Sequence, residues 1–230
     1  MARGEFRLRV RYGKVGRLRW LSHLEVAHAL ERSVRRARLP YAVTQGFSPH
    51  MKVAFGPALP VGTAGENEYY DLWLTRYTRA EELLQLLANA TPGDLAPVHA
   101  AFVADAGKSL AATLTIAEYV VKVEGRESSA EQVHAAVESI MASGPFEVAH
   151  KGKVKVFDLA RSLPKETRVT QSADGSSVQF TVRMGPEGSL RPEALVRAAL
   201  EAASLEATVV RVTRTDTLAE EQEGIWARPL

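Results

Sequence analysis

Between Glu5 and Tyr12 the chain alternates without a break: Phe6, Leu8, Val10 and Tyr12 are apolar, and Arg7, Arg9 and Arg11 stand between them. A period of two sends successive side chains to opposite faces, so this segment reads as a strand with one apolar and one basic face. Gly13 and Gly16 mark the turn that follows. A helix is expected from about Leu21 to Arg38. Its start is written as Ser22-His23-Leu24-Glu25, a capping box in which Ser22 and Glu25 satisfy each other's orphan backbone donors. Leu21, Leu24, Ala27, Leu30, Val34 and Ala37 form the expected buried stripe, and His28, Arg32, Arg35 and Arg36 lie on the other side. Pro40 ends the helix.

Extended segments are expected at 41–45 and 52–55, with the loop Gly46-Phe47-Ser48-Pro49-His50 between them. Alternation returns over 68–75, a leucine-rich helix covers 79–89, and a strand near 95–103 completes the order β-α-β-β-α-β. The second half repeats that order in pattern. It reads as strand 116–123, helix 129–142, extended 146–157, a hairpin of 168–171 with 178–184, helix 192–203 and strand 207–213. Two tandem βαββαβ units imply an α+β protein of two ferredoxin-like units. They are expected over 1–106 and 107–218, with 219–230 as a poorly ordered C-terminal tail.

No stretch approaches the roughly 20 apolar residues that span a bilayer. The N-terminus lacks the apolar core of a signal peptide, so a cytoplasmic protein without a membrane partner is expected. Cysteine is absent, which excludes disulfides, thiolate zinc sites, cysteine nucleophiles and cysteine-ligated iron–sulfur clusters. The six histidines are dispersed, and neither a phosphate loop nor an HExxH motif is present, so no metal site is expected. The net charge of +2 is unevenly placed. Residues 1–40 hold eleven positive side chains against Glu5, Glu25 and Glu31, a local +8 that leaves −6 on the other 190. Such asymmetry points to a polyanionic partner for the basic end.

In a ferredoxin-like sheet the first and third strands are central neighbours. Helices should cover the face of Phe6, Leu8, Val10, Tyr70, Leu72 and Leu74. The opposite face would carry Arg7, Arg9 and Arg11 beside Tyr69, Asp71 and Trp73. Arginines pair with phosphates and aromatic rings stack on bases, so this face is a candidate RNA surface. The alternative is burial between the two units, with Arg–Asp pairs satisfied there.

In the loop, Gly46 permits a positive φ, and Pro49 fixes its own backbone and restricts Ser48. The segment presents Ser48, His50 and Lys52; in the alternative it is a plain turn in which Phe47 plugs the core. His23 stands at the first helical position, where free amides and the helix dipole attract anions. Lys151, Lys153 and Lys155 alternate along one strand, followed by Asp158 and Arg161. That row is either a further RNA contact or a guard against edge pairing.

Ser22-His23-Leu24-Glu25, Arg32 and Arg36, Gly46-Phe47-Ser48-Pro49-His50, Leu59-Pro60-Val61-Gly62 and Glu68-Tyr69 together resemble an uncharacterised domain family linked to radical-SAM proteins. The likeness is strong over about 5–75. It is weaker beyond, where Lys153, Lys155, Asp158 and Arg161 match the family's basic–acidic–Arg segment. The family's pattern usually has Asp where this chain has Glu25. The resemblance implies a domain fused to, or encoded beside, a radical-SAM protein, in a setting of RNA metabolism. The implied partner carries the iron–sulfur cluster and S-adenosylmethionine; this chain carries no cofactor.

The expected function is an RNA-binding accessory module that presents tRNA or rRNA to a radical-SAM modification enzyme. Arg7, Arg9, Arg11, Arg32, Arg35 and Arg36 would hold the backbone, with Lys153, Lys155 and Arg161 as further contacts. Gly46, Phe47, Ser48, Pro49, His50 and Lys52 would sit near the target nucleotide, with Tyr69 and Trp73 available for stacking. A second reading is a metal-independent endoribonuclease resembling the CRISPR-RNA-processing nucleases, with His23 and His50 as acid and base. A third is a protein-interaction subunit of a radical-SAM complex.

Overall fold

A computed structural model describes the chain except residues 1–3, 105–107, 126–127, 151 and 186–187 and the side chains of His150 and Lys153. Two compact units emerge, Met1–Leu114 with Ala227–Leu230, and Thr115–Trp226. Each is mixed α+β. Among the described residues no helix is long and apolar enough to cross a membrane.

The first unit contains β1 (Phe6–Lys14), α1 (His23–Arg36), β2 (Val53–Phe55), β3 (Ala64–Leu74), α2 (Ala80–Ala90), β4 (Pro97–Val103) and the short α3 (Leu110–Thr113). The strands lie in the order β4-β1-β3-β2, and each adjacent pair is antiparallel. The alternation of β1 sets its register: Leu8 faces Leu72 and Val10 faces Tyr70 across the β1–β3 ladder. These four side chains join Val26, Leu30 and Val34 of α1 and Leu83 and Leu87 of α2 in one core. Helices therefore cover the apolar sheet face.

Two local expectations are corrected. The buried face of α1 is Val26, Leu30, Ser33 and Val34, while Leu24 is 63 % exposed. The helix begins at His23, directly after its Ser22 cap. Leu24 then lies in the first turn on the solvent side. Residues 41–45 form no strand; Tyr41 and Val43 make only single bridges, to Leu74 and Met51.

The second unit contains β5 (Leu114–Glu124), α4 (Ala130–Ala142), β6 (Phe146–His150), β7 (Lys153–Phe157), α5 (Leu159–Ser162), β8 (Arg168–Ser172), β9 (Gly175–Arg183), α6 (Pro192–Ala202), β10 (Thr208–Gln222) and β11 (Ile225–Ala227). Its main sheet runs β10-β5-β9-β8, with β11 on β10. The stretch expected to be one extended segment folds back as β6 and β7, a separate two-stranded sheet. Gly152 turns it at φ +75°, a region that suits glycine. The element order of this unit therefore departs from a plain β-α-β-β-α-β. Residues 219–230, expected as a tail, instead include the end of β10 and all of β11. There Trp226 Nε1 donates to Glu220 at 3.2 Å, and Lys165 stands over the Trp226 ring.

Candidate nucleic-acid interface

Helix α1 is stapled at both ends. Ser22 N–H donates to the Glu25 carboxylate at 2.8 Å, and Glu25 N–H donates back to Ser22 Oγ at 3.4 Å. The Ser22 donors hold the Glu25 carboxyl below the usual carboxylate range. At the other end Arg38 N–H donates to the Arg35 carbonyl and Leu39 N–H to the Val34 carbonyl. This is a Schellman closure with Arg38 in the left-handed region at φ +54°, a place usually given to glycine. Leu39 is buried behind it.

With one face of α1 in the core, its opposite face is solvent-exposed. His28, Arg32, Arg35, Arg36 and, past the cap, Arg38 are all exposed. Arg35 bridges to Glu31 at 3.3 Å, one turn back. Arg32, Arg36 and Arg38 form no ion pair or side-chain hydrogen bond with described residues. The arginines expected on α1 are thus where a polyanion can reach them. Arg38 lies outside the expected contact set; its signal in the sequence is Pro40 two residues on, which forces the helix to end and turn.

The arginines of β1 have a different fate. Asp71, opposite Arg9 on β3, is fully buried. Arg9 donates Nε to Oδ1 at 2.8 Å and Nη2 to Oδ2 at 3.0 Å; Arg7 donates Nη2 to Oδ2 at 2.6 Å and Nε at 3.0 Å. Arg9 also donates to the Pro229 carbonyl at 3.2 Å. Both guanidiniums are buried, as is Tyr69, so the expected open face of Arg7, Arg9 and Tyr69 is not presented to solvent. Arg11 is half-buried. Trp73 is half-buried as well, with Arg7 at 5.2 Å and Lys52 at 5.0 Å from its ring, and Lys52 pairs with Glu5. Physically, a carboxylate inserted among three arginines drew two of them inward.

The loop after α1 is closed at its neck. Thr44 N–H donates to the His50 carbonyl at 2.8 Å, and His50 N–H donates to Thr44 Oγ1 at 3.2 Å. His50 Nδ1 lies 3.1 Å from Thr44 Oγ1 and 3.2 Å from the Ser48 carbonyl oxygen. Gly46 turns at φ +139°. Phe47 does not plug the core; it is 110 % exposed, and Met51, 2 % exposed, occupies the core beneath. Gly46, Ser48, Pro49 and His50 are exposed around it.

His23 is exposed and packs edge-on against Phe55, centroids 5.5 Å apart. It stands at the rim of a small pocket with buried Lys14, Glu68 and Tyr12, whose free space of about 10 Å³ holds about one water. His50 instead lies within the loop neck, against Thr44 and the Ser48 carbonyl.

In the second unit Lys155 and Arg161 are exposed and line an open cleft of about 820 Å³ with Arg183 and Met184. Asp158 caps α5, accepting from Arg161 N–H at 3.2 Å. Arg183 is already held by Glu220. Lys151 and the Lys153 side chain lie outside the described residues.

A family model described as an uncharacterized protein conserved in bacteria, DUF2344, matches residues 7–192. No curated protein matches the sequence. Among solved structures, a Cbf5-Nop10-Gar1 complex aligns with TM-score 0.50 and 12 % identity, covering 94 % of this chain and 50 % of that one. An H/ACA RNP bound to a substrate RNA containing 2'-deoxyuridine aligns with TM-score 0.48 and 12 % identity, covering 91 % and 47 %. The chain spans about half the length of the solved chains it resembles. At 12 % identity the likeness to the first is one of fold alone.

Proposed function

The chain belongs to the DUF2344 family, and from that premise we propose that it is an RNA-binding module that presents tRNA or rRNA to a radical-SAM modification enzyme. The observation that carries the RNA reading is the outer face of α1, where Arg32, Arg35, Arg36 and the adjoining Arg38 are exposed on a helix rigidly capped at both ends. Arginine forks bind phosphate bidentately, and a fixed row of them binds a phosphate chain better than scattered lysines. The neighbouring loop adds an exposed aromatic ring and an exposed imidazole. Lys155 and Arg161 in the second unit offer a separate cationic rim.

The antiparallel order β4-β1-β3-β2 supports a ferredoxin-like reading of the first unit, and β10-β5-β9-β8 supports the same for the second with β6 and β7 inserted. The radical-SAM partner is supported by the sequence resemblance, and the cluster belongs to that partner because this chain has no cysteine. Filter binding of the purified chain to transfer and ribosomal RNA at low salt tests the reading. Retention that weakens steeply with salt is expected; no retention at low salt would sink it. Co-purification of a radical-SAM protein that depends on intact RNA is expected for a module that presents substrate.

A further inference from the structure

We propose that Phe47 is a stacking platform that selects unpaired nucleotides, so that the target is single-stranded or looped RNA and not continuous duplex. This rests on the RNA reading above. Phe47 is the most exposed of the large hydrophobic side chains among the described residues. Folding gives such a ring nothing, since it keeps its whole apolar surface in water. Nor is its position left to chance. The Thr44–His50 hydrogen bonds close the loop neck, Met51 anchors one end in the core, and Gly46 supplies the turn. The ring is therefore held out on a short, pinned loop.

The surroundings favour a base over a protein groove. Docking surfaces for proteins are contiguous apolar patches. Here Gln45, Gly46, Ser48, Pro49 and His50 are exposed on either side of the ring, and Val43 at the loop's base is the one other exposed large hydrophobic in 41–52. A lone aromatic plane among hydrogen-bonding groups suits a nucleobase, which offers a flat face and polar edges. In A-form duplex the bases are already stacked on each other and the major groove is too deep and narrow for side chains. Only an unpaired base leaves its face free.

Fluorescence anisotropy of the full chain, with one short oligoribonucleotide used single-stranded and again annealed to its complement, tests the proposal. Phe47→Ala is expected to weaken single-strand binding by about 5- to 150-fold, the range for removal of one base–aromatic stack, and to leave duplex binding unchanged. Phe47→Trp is expected to retain it. Because the ring lies outside the core, circular dichroism of both variants should match the parent. Equal single-strand affinity of parent and Phe47→Ala overturns the stacking role while leaving the RNA reading intact. Equal RNA affinity together with loss of a co-purifying protein overturns it in favour of protein docking. A parent chain that binds neither RNA at low salt overturns the RNA reading and this proposal with it.

Discussion

Arg9 and Asp71 face each other in register across β1 and β3 and share two hydrogen bonds, at 2.8 and 3.0 Å, with the carboxylate fully buried. Arg7 reaches the same carboxylate, so one negative charge serves two guanidiniums. This arrangement divides the basic N-terminal segment into two populations. Arg7 and Arg9 of β1 are tied into the fold, and Arg32, Arg35 and Arg36 of α1 face solvent.

Removing the shared carboxylate should be severe. Asp71→Ala leaves Arg7 and Arg9 buried without their counter-charge, and the expected loss is about 3–5 kcal/mol of stability, measured by urea unfolding. Replacing all three together, with Met at 7 and 9 and Leu at 71, should recover much of that loss, because an apolar set of similar volume carries no desolvated charge. A fall no larger than that of an exposed arginine variant would show that the pairs contribute little.

Arg38 holds the left-handed position of the α1 closure, where a Cβ is disfavoured. Arg38→Gly is expected to stabilise the chain by about 1 kcal/mol, seen as a higher Tm, and to weaken RNA binding because a charge is removed. Arg38→Ala should weaken binding equally with no gain in Tm. The pair of variants separates backbone strain from charge.

Acid unfolding of the second unit should depend on Glu220. Hydrogen bonds from Arg183 and then Trp226 hold its carboxyl at about 2, against an ordinary 4.5. The folded chain keeps Glu220 ionised where the unfolded chain takes up a proton. Its stabilising contribution is therefore complete above about pH 4.5 and is lost as pH falls towards about 2. Glu220→Gln should flatten the stability–pH curve within that window and leave its shape above it unchanged.

Much of the fold was legible because it rests on local rules. The alternation of β1 and β3 determined which residues face the helices, and Ser22 with Glu25 marked the start of α1. What was not legible depends on tertiary neighbours. Period two distinguishes the two faces of β1 but does not say which is wet, and Asp71 made the arginine face a buried one. The positive φ of Gly46 was readable from the glycine itself. Which of Phe47 and Met51 enters the core was not, since both are large and apolar. The turn between β6 and β7 hung on a single glycine within a run of alternating lysines and valines, a pattern that also reads as one continuous strand.

The outer face of α1 is the central claim, and the salt dependence of RNA affinity tests it most directly. For the parent chain log K should fall linearly with log salt. Replacing Arg32, Arg35 and Arg36 together by Ala should weaken binding and make the slope shallower. On single-stranded RNA the change is about 0.7 for each phosphate no longer neutralised, about 2 in all. A triple variant that keeps the parent's affinity and slope would contradict the account.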